Sequence, residues 1–265
     1  MYSINQNSPV VLTIAGLDPS GGAGIVADIK TIAAFGCFPA AAVTSITFQN
    51  AQRMFGAEHQ TAATLRAQVE PIVADVKVAA AKTGMLPTAE IVAEVVRLFR
   101  EEDLPAPVID PVMVSTSGHD LIGEEAFAIL KTELLSVACL VTPNIPEAER
   151  LAGFAIASEA DMRRAAEAIK KLGAPAVLVK GGHRLESQED ALDILIDDAD
   201  VFTTFRGPYI EIGEVHGSGC TLSAAIAANL ANNLLLIDAI AAAKQYLTKA
   251  IHRLHRDNLN ATEPT

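Results

Sequence analysis

Short apolar runs and longer amphipathic stretches take turns along this chain. "VVLTIA" precedes "AGIVADIKTIAAFG", "AAAVTSIT" precedes "TAATLRAQVEPIVAD", and "VAAAKTG" precedes "PTAEIVAEVVRLFREE". The rhythm continues with "APVID" and "GEEAFAILKTELL", then "ACLVTP" and "PEAERLAG", then "PAVLVKGG". The short runs are continuously apolar, as strands buried on both faces are, while the longer stretches space their apolar residues three and four apart, as helices do. The pattern predicts an α/β sandwich with a mostly parallel central sheet and helices on both faces.

Beyond Lys180 the rhythm changes. "ALDILID" and "VFTTFRG" read as a hairpin around Asp197 to Asp200, "YIEIG" as a further strand, and two helices follow from Ser218 onward. No linker rich in Pro, Gly or Ser divides the chain and no solenoid period is present. It reads as one domain over residues 1–265, with a C-terminal tail from about residue 257.

Composition narrows the function classes. Half of the 265 residues are hydrophobic and the mean hydropathy is +0.30, which gives ample material for a core. No apolar run approaches the roughly 20 residues of a membrane span, and "MYSINQNSPV" lacks the basic and apolar segments of a signal peptide, so a cytoplasmic protein without a membrane partner is expected. A net charge of −12 argues against a nucleic-acid partner, which needs a basic face. Cys37, Cys139 and Cys220 form no CxxC pair, so neither a disulfide framework nor a zinc site is indicated.

In open parallel sheets ligands lie beyond the carboxyl ends of the strands, and the loops there carry the candidate chemistry. "GLDPSGGAG", from Gly16 to Gly24, departs from GxGxxG spacing; Asp18 among small residues favours a substrate loop over a plain connection. In "TPNIPEAERLAG", Asn144 and Glu147 have the spacing of a capping box, and the same pair suits the water shell of a magnesium ion. "VLVKGGH" ends a strand on Lys180 and the glycines 181 and 182, a solvated turn or a phosphate contact. "DPVMVSTSG" sets Asp110 at another strand end before a small-residue loop.

"HGSGCT" opens the first C-terminal helix. Gly217 and Gly219 suit a tight turn and Ser218 a helix cap, but that leaves the cysteine unexplained. The amides of Gly217, Ser218, Gly219 and Cys220 at a helix start make an anion nest, whose field should lower the Cys220 thiol toward neutrality as base or donor. Cys37 and Cys139 sit in apolar patterns and read as core fillers.

Taken in order, "AGLDPSGGAGIVADIKT", "KTGML", "IDPVMVSTSG", "TPNIPEAERLAG", "VLVKGGH" and "HGSGCTLSAAIAANLA" resemble the signatures of the hydroxymethylpyrimidine/phosphomethylpyrimidine kinases of thiamine biosynthesis, within the ribokinase-like superfamily. The resemblance implies a ribokinase-like three-layer sandwich, a homodimer, and ATP- and Mg2+-dependent phosphorylation of 4-amino-5-hydroxymethyl-2-methylpyrimidine and then of its monophosphate. It places Cys220 where sugar kinases of the superfamily carry an aspartate base, with Gly217, Ser218 and Gly219 as the anion hole. Gln49, Asp18, Gly16, Met85 and Val112 fall in the pyrimidine pocket it implies. Lys180, Gly182, Asn144 and Thr116 fall on its nucleotide side, and Glu147, Asn144 and Asp110 on its magnesium side. Two departures stand out: "QNAQRMFGAEH" replaces the usual continuation after the glutamine, and Thr116 stands where a lysine is often found, removing one phosphate contact. Two rival readings are a pyridoxal or pyridoxine kinase, which the same pocket suits, and a non-catalytic protein that binds such a vitamer.

Overall fold

Apolar strand runs become the spine of one sheet because the central strands find a helix layer on each side to bury them. The computed structural model describes residues 8–50, 53–115, 118–182, 190–208, 210 and 215–262. Its strands are β1 (Val10–Leu17), β2 (Phe38–Gln49), β3 (Met54–His59), β4 (Val78–Thr83), β5 (Val108–Ile109), β6 (Leu140–Val141), β7 (Val177–Lys180), β8 (Asp190–Ile196) and β9 (Phe202–Pro208). They form a nine-stranded sheet in the order β3-β2-β1-β4-β5-β6-β7-β8-β9. From β2 to β7 all neighbours are parallel, while β3, β8 and β9 add antiparallel edges. The sandwich expected from the apolar rhythm is thus the observed fold.

Two apolar layers cover the sheet. On one face lie α1 (Gly24–Ala34), α7 (Ser218–Ala231) and α8 (Leu236–Thr262), packed on Val11, Ala80, Val108, Leu140 and Leu178. On the other lie α2 (Ala62–Asp75), α3 (Ala89–Glu101), α4 (Glu124–Thr132), α5 (Ile145–Ala152) and α6 (Glu159–Lys170), packed on Leu12, Ala81, Ile109, Val141 and Val179. Successive residues of the central strands, such as Val177, Leu178 and Val179, therefore alternate between the two cores. The α3 helix shows how the sequence builds this: Ile91, Val92, Val95, Val96 and Leu98 are buried, and the Thr88 side chain caps the start by accepting from the Ile91 amide.

Several local readings change. The segment after Gln49 contains a strand, because Met54–His59 is β3, paired antiparallel to β2. The helix α6 interrupts the expected alternation before β7. The β8–β9 hairpin turns where expected, with Asp200 at a φ of 62°. "YIEIG" and Thr116 fall on or among residues outside the described ones, and α8 continues past residue 257.

Leu98 is fully buried in the core between α3 and the sheet. Leu98→Ala should lower the unfolding free energy by about 2–5 kcal/mol in a urea titration, since the cavity left by the lost side chain adds to the transfer cost.

Candidate active site

The strand order reverses at β1, whose neighbours are β2 on one side and β4 on the other, and a crevice opens above the carboxyl ends there. A cavity of about 710 Å³ lies at this place. Its floor follows from the period of two along each strand. On the face covered by α1 and α7, the polar residues at or just past the ends of β4, β5, β6 and β7 are Lys82, Asp110, Thr142 and Lys180, each two positions beyond a buried apolar residue of that core. Lys180 donates to Asp110 at 2.8 Å, and Ser223 on α7 reaches the other carboxylate oxygen at 3.2 Å. Burial acts to raise the Asp110 pKa, but Lys180 and then Lys82 pull it below the usual range, so it stays ionised.

The first turn of α7 stands over this floor. Gly217, not Ser218, is the N-cap, and it makes no side-chain cap bond; Ser218 is the first helical residue. Gly217 has a φ of 78°, and a Cβ there would lie 1.9 Å from the Gly22 carbonyl oxygen, so conformation and space both require glycine. The Ser218 amide turns back to Val215, whereas Gly219 and Cys220 are in the part of the helix that has no intrahelical acceptor. A Cβ on Gly219 would sit 3.1 Å from the Lys180 ammonium and 3.7 Å from Asp110, which puts the nest directly against the strand-end charges. The structure brings Gly217, Ser218, Gly219, Cys220, Lys180 and Asp110 to one wall of the cavity.

The Cys220 thiol is not poised near neutrality. Burial pushes it up to about 11, with Asp28 and Asp110 adding to the rise, and Lys82 and an amide bond from Gly24 only partly offset it. The helix field was the sole influence visible in the sequence; desolvation, which needs the fold to be seen, outweighs it. Cys37 is buried, and its thiol donates to the Ala228 carbonyl at 3.5 Å, whereas Cys139 is half-buried against the same core layer.

On the other wall the β1–α1 loop is folded around Asp18. Its carboxylate accepts from the Ser20 amide and hydroxyl at 2.8 and 2.7 Å, from the Ala23 amide at 2.9 Å, and pairs with His216 Nε2 at 2.9 Å. Burial acts to raise its pKa, yet these bonds together with one from Gln49 bring it down to about 2. Asp18 thus clamps the loop and ties it to the residue before the nest. Gly16, Gln49, Met85 and Val112 line the same cavity, with the Met85 sulfur 2.9 Å from where a Gly16 Cβ would be.

Beside Lys180, Asn144 and Glu147 form a reciprocal capping box: the Glu147 amide donates to Asn144 Oδ1 at 2.9 Å, and the Asn144 amide to Glu147 Oε2 at 2.8 Å. Asn144 also bridges to Lys180 across the sheet end. Burial pushes the Glu147 carboxyl up to about 7 against the pull of Lys180, and Asp110 adds to the rise. Glu147, Asp110 and Asn144 face the cavity together with Lys180 and Gly182. A second carboxylate whose charge is resisted by its surroundings fits a hydrated divalent cation, which uses few protein ligands and keeps its water. Among the described residues no cluster of three or more His, Cys, Asp or Glu side chains forms a dedicated metal cage. Thr116 lies outside the described residues.

Sequence reasoning passed over His216, Ser223, Lys82 and the α8 residues Lys244, Leu247, Thr248 and Ile251, which line or support the cavity. For Ser223 a signal existed, since it lies four residues after Gly219 on the same helix face. For Lys82 it was the shared strand-end position with Asp110 and Lys180. For α8 there was none, because its place over the cavity is a matter of tertiary packing.

A glycine nest at a helix start, set over paired strand-end ammonium and carboxylate groups, suits a polyphosphate, and the solved structures that superpose on this fold are small-molecule kinases of the ribokinase-like class. The chain belongs to the phosphomethylpyrimidine kinase family, whose model matches residues 18–263. It is 46% identical over 248 residues to the hydroxymethylpyrimidine/phosphomethylpyrimidine kinase of Rhizobium meliloti, covering 93% of this chain and 92% of that one. It is 42% identical over 243 residues to the enzyme of the same name from Streptomyces coelicolor, covering 92% and 88%. Among solved structures, the phosphomethylpyrimidine kinase of Clostridium difficile superposes with a TM-score of 0.81 at 38% identity, covering 92% of this chain and 100% of that one. The pyridoxal kinase of Staphylococcus aureus in complex with AMP-PCP and pyridoxal gives 0.83 at 32% identity, covering 92% and 88%.

The Glu147 carboxyl titrates higher in the fold than in the unfolded chain, so it contributes stability below the ordinary carboxylate range that is lost as pH rises through about 7. Glu147→Gln keeps an acceptor for the Asn144 amide and removes the charge. In cation-free buffer the variant should gain about 1–3 kcal/mol over the parent near pH 8, and less near pH 5. Equal thermal melts at both pH values would contradict the assignment.

Proposed function

We propose that the protein uses ATP to phosphorylate the 5-hydroxymethyl group of 4-amino-5-hydroxymethyl-2-methylpyrimidine, and then converts the resulting monophosphate to the diphosphate. One observation carries this reading: the Gly217–Cys220 nest lies at the junction of two parts of one cavity, with Lys180 and Asp110 on one side and Gln49, Met85 and Val112 on the other. The first part suits a polyphosphate and the second an aminopyrimidine, because an amide can donate to and accept from such a ring edge. The names of the relatives agree with the substrate, and the nucleotide analogue bound by the staphylococcal relative agrees with ATP.

Phosphoryl transfer passes through a loose transition state, so alignment and charge stabilisation do most of the catalysis. The Gly219 and Cys220 amides hold the oxygens of the γ-phosphoryl group, and Lys180, held protonated by Asp110 and Glu147, offsets their charge. The hydroxyl oxygen bonds to phosphorus as the bond to the ADP oxygen breaks. The alcohol proton leaves late, toward a phosphoryl oxygen or water, since a loose transition state needs little early deprotonation. The raised thiol of Cys220 suits a protonated group that orients this hydroxyl rather than a standing base. Glu147, Asp110 and Asn144 are the residues to hold Mg2+ through its water shell, and the ion would add charge neutralisation at the phosphates.

The single sheet drawn from residues 10 to 208 supports one kinase domain over the chain. Three free cysteines suit a reducing cytoplasm, and among the described residues no helix is long and apolar enough to cross a membrane. A homodimer is supported by the β2–β3 edge, which exposes Ile46, Phe48 and Phe55 at 40%, 51% and 58%.

Mass spectrometry of the products after incubation with ATP, Mg2+ and the hydroxymethylpyrimidine should reveal the mono- and then the diphosphate, and Cys220→Ala should lower kcat about 100-fold or more with the KM for ATP nearly kept. Faster turnover of pyridoxal than of the pyrimidine, or none of either, would overturn the substrate assignment. Light scattering should give twice the chain mass for the parent and the chain mass for a Phe48→Asp/Phe55→Asp variant; a parent of one chain mass rules out the dimer.

A further inference from the structure

Among the described residues, four basic side chains line the cavity: Arg150, Lys180, His216 and Lys244. Each is paired with a carboxylate, and one of the four partners differs from the rest. Lys180 is held by Asp110, His216 by Asp18 and Lys244 by Asp193, and those carboxylate side chains are 3%, 2% and 8% exposed. Arg150 is held by Glu124 at 2.5 Å, and that side chain is 85% exposed. Drawing a cation away from a buried carboxylate strands a charge without water, whereas an exposed carboxylate is rehydrated at once. Arg150 is therefore the cation of this wall that can exchange its partner for a ligand.

Its setting suits such an exchange. Arg150 lies three residues after Glu147 on α5, and both line the cavity. Long helical side chains lean toward the N-terminal end of their helix, so the Arg150 stem runs toward the turn that carries Glu147. Its guanidinium carbon stands 4.4 Å from the centre of the Phe127 ring on α4. Stacking of this kind occupies one flat face and leaves the in-plane N–H fork to find acceptors. Glu124 takes one bond from Nη2, and the other donors find no acceptor among the described residues. Glu124 itself sits in the first turn of α4, where the helix dipole favours a carboxylate with or without the arginine. In a chain of net charge −12 a phosphorylated ligand has to be held by local cations, and a guanidinium fork meets two phosphate oxygens side by side.

We infer that Arg150 binds a phosphate group of the ligand, taking it in exchange for Glu124, and so sets the preference of the cavity for phosphorylated over unphosphorylated molecules. The inference deepens the kinase reading given above and rests on it. Two phosphates have the required chemistry, those of the nucleotide and that of the pyrimidine monophosphate. The rival role is a surface ion pair that only ties α5 to α4.

The test measures dissociation constants by calorimetry, with Mg2+ present, for three probes: AMP-PCP, the pyrimidine monophosphate and the unphosphorylated hydroxymethylpyrimidine. Arg150→Met keeps a flexible side chain against Phe127 and removes the charge. It should weaken binding of AMP-PCP, of the monophosphate or of both about tenfold, and leave the unphosphorylated pyrimidine within about twofold. Loss for AMP-PCP alone assigns the arginine to the nucleotide, and loss for the monophosphate alone assigns it to the acceptor. Glu124→Gln removes only the competing partner, so the phosphorylated probes should bind it as they bind the parent or up to about threefold tighter. A pair that only joins two helices would instead weaken binding alike in both variants. Should Arg150→Met fail to melt cooperatively, Arg150→Lys, which keeps the charge without the fork, takes its place and should lose about threefold. Unchanged binding of both phosphorylated probes in a folded Arg150 variant, or an equal loss for all three probes, overturns the inference, as does a parent that binds neither phosphorylated probe. A parent that binds AMP-PCP but neither pyrimidine sinks the substrate assignment instead, and the nucleotide arm then decides the role of Arg150.

Discussion

Everything at the cavity depends on how closely the starts of two helices approach. The carbonyl of Gly22 occupies the space a side chain on Gly217 would need, and His216 is paired to Asp18. The glycines around residues 21–24 and 217–219 are therefore a single device, split across the chain by nearly two hundred residues, that allows backbone to meet backbone. What results is a rigid cradle whose amides are already aimed before a ligand arrives, and preorganised donors of this kind need no rearrangement as charge develops.

The cradle also decides the electrostatics. Three buried carboxyl groups, Asp28, Asp110 and Glu147, stand with the buried Lys82 ammonium and the partly buried Lys180. Two of the acids are matched, and the third, Glu147, holds its proton up to about pH 7. Below about pH 7 the protonated Glu147 leaves the remaining acids and the two ammonium groups matched in charge.

Much of this was legible in the chain. The alternation of apolar runs with amphipathic stretches gave the layers, because burial on both faces leaves strands no polar alternation to show. The nest and the Asn144–Glu147 box were readable because both are local, set by spacings of two to four residues. Long-range properties were hidden. The helix start suggested a depressed thiol at Cys220, and burial reverses the sign. Asp18 was legible as a residue of the cavity loop, but its bond to a histidine 198 positions away was not. Lys82 was legible in principle, as the polar residue ending a buried strand, but its partner on α1, Asp28, becomes apparent only when the helix is laid on the sheet.

Helix α8 closes one side of the cavity, with Lys244, Leu247, Thr248 and Ile251 in its wall and Lys244 paired to Asp193 on β8 at 2.5 Å. This wall rests mainly on α7 and not on the strands whose ends form the floor. A change in how α8 sits on α7 would therefore resize the chamber while leaving the sheet and its strand-end charges in place.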